Sequence, residues 1–212
     1  MMPNEAEIVR LLKKDYTTDH FSRQNDEDPF KVLVSCLISL RTKDEVTYPA
    51  SQRLFALADT PRKMAALDTR KIEKAIYPAG FYKTKARRIK DISGRLAKEY
   101  GSRVPEDFDE LLKFKGVGRK TANIVMVFGF RKPGIPVDTH VHKLANRLGW
   151  TATKTPEKTE MALRNGLSKR YWLDINELFV RHGQHICLSV SPLCSRCGIR
   201  GYCKRAGVGI SR

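Results

Sequence analysis

Two segments with helical periodicity meet at Lys113-Phe-Lys-Gly-Val-Gly-Arg-Lys120, where a valine stands between two glycines. Glycine permits backbone angles and close approaches that other residues exclude, so this stretch predicts a tight hairpin between two helices. The second helix would direct its unpaired N–H groups and the positive end of its dipole outward, which favours a bound phosphate. Four cations crowd the turn: Lys113, Lys115, Arg119 and Lys120. The stretch is therefore a candidate phosphate-binding hairpin, and an ordinary glycine-containing connection with solvated lysines is the alternative.

Helical periodicity extends along nearly the whole chain. Asp28-Pro29 and Thr60-Pro61 each read as an N-cap followed by proline at the first helical position, and Val104-Pro105 repeats the pattern. No run of residues alternates with the period of a strand, so the fold class predicted is all-α. The helices predicted span residues 5–14, 29–40, 82–100, 108–113, 119–130, 139–148, 156–167 and 171–186. In the basic helix 82–100, we expect Ile89, Ile92 and Leu96 to face inward and Lys83, Lys85, Arg87, Arg88 and Lys90 to face mostly outward.

Composition narrows the class of partner. The 212 residues carry 40 Lys and Arg against 23 Asp and Glu, a net charge of +17, which favours a polyanion and above all nucleic acid. A hydrophobic fraction of 41% excludes a mostly disordered or fibrous chain. The longest apolar run, 122–130, is far shorter than the roughly 20 residues of a membrane helix, and no apolar secretory signal is visible near Glu5 and Glu7. We expect a cytoplasmic protein.

Four of the five cysteines form one short pattern, Cys-x6-Cys-x2-Cys-x5-Cys, made by Cys187, Cys194, Cys197 and Cys203. Because a reducing cytosol disfavours disulfides, the pattern indicates a metal site. Zinc usually takes two Cys-x2-Cys pairs and only one is present, so four thiolates on an iron–sulfur centre are favoured and zinc is the alternative. The fifth, Cys36, lies in an apolar segment and is interpreted as a buried structural thiol.

Lys120 and Asp138 are the side chains best suited to chemistry. Lys120 stands at the start of a helix among other cations, a setting that disfavours its ammonium form and favours a nucleophile able to form a Schiff base. Its alternative role is a simple phosphate contact. Asp138 precedes the helix 139–148, where it could cap the helix or stabilise developing positive charge.

These motifs together resemble the endonuclease III family of the helix–hairpin–helix DNA glycosylase superfamily. The resemblance rests on Gly116-Val-Gly-Arg-Lys-Thr-Ala122, Val137-Asp-Thr-His140 and the four-cysteine pattern, and it covers about residues 29–203. It implies an all-α, two-lobed fold with a DNA cleft between the lobes. One lobe would be a six-helix barrel domain, residues 23–132. The other, residues 1–22 plus 133–212, would hold a [4Fe-4S] cluster on the four cysteines of the loop 187–203.

The resemblance also implies an activity. It is base excision repair of duplex DNA by a bifunctional glycosylase and AP lyase, which removes oxidised pyrimidines and cleaves the abasic site by β-elimination. Lys120 matches the family's catalytic lysine, which forms the Schiff base, and Asp138 matches its catalytic aspartate. Gly116, Gly118, Arg119 and His140 are expected to contact DNA.

Two positions depart from the family pattern. Arg41 stands where the family usually has glutamine, and Phe81 replaces the leucine that fills the gap left by a flipped base. An arginine can still reach the opposite base and an aromatic ring can still stack between bases, so both are expected to contact DNA. The departures concern the opposite-base preference and leave strand cleavage intact. The structural alternative is a surface cation and a packed aromatic.

Two other functions remain as alternatives. One is a thymine/G mismatch DNA glycosylase, whose specificity would depend on a few pocket residues. The other is a non-catalytic iron–sulfur DNA-binding redox sensor, which would need no reactive lysine. An adenine-removing mismatch glycosylase is disfavoured by the presence of Lys120 and by the short sequence after Cys203. We expect a monomer that binds DNA containing damaged pyrimidines or abasic sites, from a prokaryote, associated with the nucleoid.

Overall fold

The computed structural model describes residues 1–16 and 28–212. These residues form helices and connecting turns without a strand, so the predicted all-α class is confirmed. In chain order the α-helices are α1 (Glu5–Asp15), α2 (Pro29–Ser39), α3 (Asp44–Leu57), α4 (Pro61–Ala66), α5 (Thr69–Ile76), α6 (Tyr82–Glu99), α7 (Phe108–Leu112), α8 (Arg119–Ile124), α9 (Thr139–Leu148), α10 (Pro156–Gly166) and α11 (Ile175–His185).

Among the described residues, the chain divides into two compact units. One unit contains residues 28–132, and the other contains residues 1–16 and 133–212. The predicted boundary between residues 22 and 23 lies outside the part of the chain that the structure describes. In the described part, no helix has both the length and the apolar character needed to cross a bilayer.

Helix α2 is the centre of the unit formed by residues 28–132. It packs against α3, α6, α8 and the π-helical turn Val125–Gly129 that continues α8. Its residues from Val32 to Ile38 are all buried, as expected for a helix that is apolar on every side. The helix begins where the sequence predicts, because Asp28 Oδ1 accepts a hydrogen bond of 2.8 Å from Phe30 N and Pro29 occupies the first turn.

Helix α11 organises the other unit. It packs against α1 and α9, and α9 packs against α10. Ile8 and Leu12 of α1, Leu144 of α9, and Leu178 and Phe179 of α11 are almost completely buried in this core. Helix α1 therefore buries an apolar face that includes Ile8, Val9 and Leu12, as an amphipathic helix does.

Two expectations about helices are wrong. Val104-Pro105 does not start a helix: α7 begins at Phe108, and Asp107 Oδ1 caps it by accepting hydrogen bonds of 2.9 Å from Asp109 N and Glu110 N. Lys85 does not face outward from α6, because its side chain is buried with 4% of its surface exposed. The other predicted helices agree within a few residues, and α3 and α5 were not predicted.

Candidate functional site

The glycine hairpin joins α7 to α8, and its two glycines differ in what they require. Gly116 has φ +95°, and a Cβ there would lie 3.1 Å from Arg88 Cδ, so the chain itself demands glycine. Gly118 precedes α8 with φ −100°, which any residue adopts, and a Cβ there would meet no atom within 4 Å. Buried Val117 anchors the turn between them. The protein therefore has room at Gly118 for a ligand backbone to approach.

Exposed lysines flank this hairpin. Lys115 and Lys120 are exposed, and Lys120 is the second residue of α8. Burial raises the pKa of the Cys36 thiol to about 12. The positive charge of Lys120 opposes that effect, so Lys120 lies within electrostatic range of Cys36 in α2. Cys36 is thus a buried neutral thiol, as the sequence predicted.

Arg119 is the first residue of α8. Its guanidinium carbon lies 4.9 Å from the centroid of the Phe108 ring, a cation–π distance. This contact holds the arginine beside the hairpin, and the residue is only partly exposed. The expected contact between Arg119 and DNA stays a prediction.

Asp138 is the N-cap of α9 in the unit that contains residues 133–212. Its Oδ1 accepts hydrogen bonds from His140 N at 2.9 Å and Val141 N at 2.8 Å. Both bonds use one carboxylate oxygen, so Oδ2 accepts none from the residues that the structure describes. Asp138 therefore caps the helix, as the sequence suggested, and its Oδ2 is available for a chemical role.

His140 lies against α11. A Cβ built on Gly183 would come within 2.5 Å of His140 Nδ1, so the ring packs directly on the backbone of that glycine. The imidazole is only partly exposed. Its expected contact with DNA is not tested by this geometry and stays a prediction.

Arg41 and Phe81 are at the exposed tips of two connections, after α2 and before α6. Both have left-handed backbone angles, φ 53° at Arg41 and φ 57° at Phe81, which residues other than glycine rarely adopt. The Arg41 guanidinium carbon lies 5.9 Å from the Phe81 ring centroid. The structure therefore brings these two sequence-predicted residues together, and 65% of the Phe81 surface is exposed.

The four cysteines of the sequence pattern line one cavity. Cys187, Cys194, Cys197 and Cys203 all line a space of about 30 Å³, which is larger than one water molecule needs. Among the described residues, no group of three or more His, Cys, Asp or Glu side chains could hold one metal ion.

The surroundings of the cysteines fit an anionic centre. Arg147 Nη1 lies 3.2 Å from Cys187 Sγ, and the backbone N–H of Arg205 donates to Cys203 Sγ at 3.4 Å. His182 Nε2 lies 3.4 Å from Cys197 Sγ. Burial raises the pKa of Cys197 to about 11, so a metal must displace a proton from this thiol. Donors directed at the sulfurs would stabilise thiolate ligands.

Sequence reasoning missed three side chains near these sites: Lys85, Arg147 and His182. Lys85 was assigned to the solvent face of its helix because it belongs to a basic run. Arg147 and His182 have no local motif, and only the packing of α9 and α11 beside the cysteines reveals them. A charged residue at a position of apolar periodicity was the one available signal for Arg147, which is buried.

Comparisons with known proteins agree with the architecture. Residues 34–169 match the family described as HhH-GPD superfamily base excision DNA repair protein. The chain is 44% identical over 206 residues to Endonuclease III of Thermotoga maritima, covering 96% of this chain and 95% of that protein. It is 39% identical over 215 residues to Endonuclease III-like protein 1 of Bos taurus, covering 95% of this chain and 70% of that protein.

Solved structures show the same likeness. A trapped endonuclease III–DNA covalent intermediate matches with a TM-score of 0.78 at 30% identity, covering 92% of this chain and 96% of that one. A thermostable thymine-DNA glycosylase matches with a TM-score of 0.84 at 22% identity, covering 95% and 96%, a likeness of fold alone. The helix–hairpin–helix glycosylase fold predicted from the sequence is confirmed.

The relatives also decide the kind of protein. High identity to endonuclease III over nearly the full chain, with endonuclease III–DNA complexes among the structural matches, makes this protein a base excision repair DNA glycosylase and AP lyase. In both matched complexes, endonuclease III is bound to DNA. The chain belongs to the HhH-GPD superfamily of base excision DNA repair proteins, as a member of its endonuclease III family.

Proposed function

We propose that the protein removes oxidised pyrimidines and cleaves the resulting abasic site through a Schiff base on Lys120. The observation that carries the proposal is the exposed position of Lys120 at the start of α8, directly after a glycine hairpin with space for a nucleic acid backbone. A base within a duplex is inaccessible, so it must first be flipped out, at a cost that is smallest for damaged pairs.

Lys120 is the proposed nucleophile. Its neutral Nζ attacks C1′, the C1′–N bond breaks, and the electron pair leaves with the base, which takes up a proton. Opening of the sugar by cleavage of C1′–O4′, in which O4′ takes up a proton from water, gives a protonated imine between Nζ and C1′. That imine acidifies the C2′ proton, and its loss expels the 3′ phosphate by β-elimination. Water then hydrolyses the imine and restores the lysine.

Asp138 is the proposed electrostatic partner in this reaction. Its Oδ1 is engaged in capping α9, whereas Oδ2 can accept a proton or face positive charge that develops on the sugar. Because the cap fixes the carboxylate, the group needs little reorganisation when charge develops. This arrangement supports two roles for one side chain.

The remaining DNA contacts are proposed from the family resemblance together with exposure. Gly116 and Gly118 would let the phosphate backbone approach the hairpin, with Arg119 beside it. Phe81 would fill the space left by the flipped base, and Arg41 would reach the opposite base. His140 would contact the DNA strand that lies near α9.

We propose a [4Fe-4S] cluster held by Cys187, Cys194, Cys197 and Cys203. When bound, the cluster would supply a rigid, electrostatically defined anchor for the basic segment that includes Arg196, Arg200, Lys204 and Arg205. Four thiols that line one cavity, with Arg147 Nη1 and Arg205 N as donors beside two of them, support this assignment.

We also propose a domain organisation, an oligomeric state and a cellular location for the protein. The two compact units support a helix–hairpin–helix barrel domain over residues 23–132 and a cluster domain over residues 1–22 plus 133–212. We propose that the protein acts as a monomer in the cytoplasm of a prokaryote, and the bacterial source of the relative from Thermotoga maritima supports the last point.

Borohydride trapping tests the chemistry. Borohydride reduces the imine to a secondary amine, so the enzyme becomes covalently attached to DNA. Duplexes would carry one abasic site, one thymine glycol or one T/G mismatch, and wild type would be compared with Lys120→Gln. Lys115→Gln is the matched control, because it removes an exposed lysine from the same hairpin without touching the nucleophile.

Each outcome discriminates between functions. Trapping of wild type and Lys115→Gln on abasic and thymine glycol DNA, with none by Lys120→Gln, supports the proposal. Trapping on the abasic site and on T/G DNA but not on thymine glycol would assign the T/G mismatch, and not the oxidised pyrimidine, as the substrate. Absence of an adduct on every duplex would overturn the assignment of Lys120.

A further inference from the structure

Lys85 has an unusual environment for a lysine. Only 4% of its surface is exposed, and Nζ donates hydrogen bonds to Ile38 O at 2.6 Å and to Thr42 Oγ1 at 2.7 Å. No acidic side chain forms an ion pair with it in the part of the chain that the structure describes. Burial lowers the pKa of Lys85 to about 8. An apolar side chain would fill this place at lower cost, so packing alone does not explain a lysine here.

Thr42 connects Lys85 to a second loop. Its Oγ1 also accepts a hydrogen bond of 3.1 Å from Gly80 N, the residue before Phe81. At Gly80 a Cβ would lie 2.9 Å from Arg41 O, so the two backbones touch at a point where only glycine fits. One hydroxyl therefore joins α6, the connection that carries Arg41 and the connection that carries Phe81.

The two loop tips depend on this linkage. Arg41 and Phe81 both hold left-handed backbone angles, and such conformations persist only where surrounding contacts determine them. Their side chains are exposed and lie within cation–π distance of one another. Neither exposed side chain can fix the other in place, so the buried contacts beneath them must do so.

We propose that Lys85 is a positioning residue that, through Thr42, locks the tips carrying Arg41 and Phe81 into one unit that contacts DNA. The inference rests on the proposed function, in which Phe81 fills the gap left by the flipped base and Arg41 reaches the opposite base. Beyond that function, we infer that Arg41 and Phe81 keep a fixed position relative to one another, because the buried ammonium of Lys85 and the hydroxyl of Thr42 hold both loops. The selectivity for the opposite base is then a property of Lys85 and Thr42 as well as of Arg41.

The test uses substitutions that remove donors and acceptors with little change of shape. Lys85→Met removes the ammonium, Thr42→Val removes the hydroxyl, and Thr42→Ser keeps it. Lys83→Met is the matched control, an exposed lysine on the same helix. Each variant would be trapped with borohydride on single-stranded abasic DNA and assayed on thymine glycol duplexes with adenine or guanine opposite. Fluorescence of 2-aminopurine opposite an abasic site would report whether the opposite base is unstacked.

We expect Lys85→Met and Thr42→Val to lower duplex kcat/KM about tenfold or more, because a small displacement of positioning groups has effects of that size. Both should lower the 2-aminopurine signal and the adenine-to-guanine preference, yet trap on single-stranded DNA like wild type. Thr42→Ser and Lys83→Met should keep wild-type behaviour. The double variant should be no worse than the worse single variant, because both substitutions break the same linkage.

Other outcomes would overturn the inference. Equal losses on single-stranded and duplex DNA would assign the effect to the fold or to the chemistry of Lys120. Unchanged duplex selectivity and fluorescence in both variants would show that the tips do not need the linkage. Failure of the proposed function is visible separately, since wild type itself would then fail to trap.

Discussion

Arg147 Nη1 lies 3.2 Å from the Sγ of Cys187, the first cysteine of the four-cysteine pattern. The same side chain donates to Leu188 O at 2.7 Å and, through Nη2, to Ser189 O at 2.9 Å. The backbone oxygen of Arg147 also accepts a hydrogen bond of 3.3 Å from Cys203 Sγ, the last cysteine. One residue of α9 therefore contacts both ends of the segment proposed to hold the cluster.

We expect Arg147→Met to lose most of its bound iron. The substitution removes the positive charge beside a thiolate and leaves the backbone carbonyls of Cys187, Leu188 and Ser189 without the donor that Arg147 supplies. Iron per chain and the visible absorbance of the purified protein measure the loss. Arg170→Met, which removes an exposed arginine from the same unit, is the control and should keep its iron. A full complement of iron in Arg147→Met would contradict the role of this contact.

The two hairpin glycines should respond differently to alanine. Gly116→Ala forces a positive φ on alanine and a contact with Arg88, so we expect the free energy of unfolding to fall by about 1–2 kcal/mol. Gly118→Ala has space for its Cβ within the protein and should unfold like wild type, but its methyl group would obstruct the DNA backbone. Urea denaturation measures the first effect and fluorescence anisotropy with labelled duplex the second. Equal stability losses would show that Gly118 serves the fold.

Substitutions of Asp138 can distinguish its role as a helix cap from its role as a negative charge. Asparagine caps a helix about as well as aspartate, so Asp138→Asn should retain stability, whereas Asp138→Ala should cost about 0.5–2 kcal/mol. Both variants should lose glycosylase activity, because neither carries a carboxylate to face positive charge on the sugar. Thermal unfolding and single-turnover base release measure the two properties. An active Asp138→Asn would reduce Asp138 to a capping residue.

The sequence predicts the helices best where their ends have local chemistry. Asp28 and Thr60 cap α2 and α4 as the sequence predicts. In each case the side-chain acceptor, the following proline and the backbone N–H that donates to the acceptor lie within four consecutive residues. Helix α3 has no capping side chain and contains Pro49, so no start signal marks it. At Val104-Pro105 the proline imitates a start signal, and the acceptor that caps α7 is Asp107, three residues after Val104.

The residues of the site likewise differ in how well the sequence predicts them. The hairpin, Asp138 and the four cysteines are continuous motifs, so spacing alone indicates them. Lys85 and Arg147 act on groups far away in the chain, Thr42 in one case and Cys187 in the other. Hydrogen bonds across such separations depend on how helices pack, and a single sequence gives no measure of that packing.

Burial of Lys85 predicts a specific dependence of stability on pH. Its pKa falls from 10.5 in the unfolded chain to about 8 in the fold, so between these values the unfolded state binds more protons. The free energy of unfolding of wild type, minus that of Lys85→Met, should therefore rise from pH 8 to pH 10.5 and be constant below pH 8. Urea denaturation of both proteins over this range measures the difference. A constant difference throughout would contradict the lowered pKa.

The net charge of +17 predicts binding that weakens steeply with salt, because each neutralised phosphate releases counterions. A plot of log Kd against log salt gives the number of phosphates contacted. Lys115→Gln should reduce the slope by about 0.9, since Lys115 is an exposed cation of the hairpin. Lys63→Gln is the matched control: Lys63 forms a 2.9 Å ion pair with Asp59, so its charge is already balanced and the slope should not change. If salt has little effect on wild-type binding, the positive charge is not arranged along the DNA backbone, and the hairpin holds DNA by contacts other than phosphate.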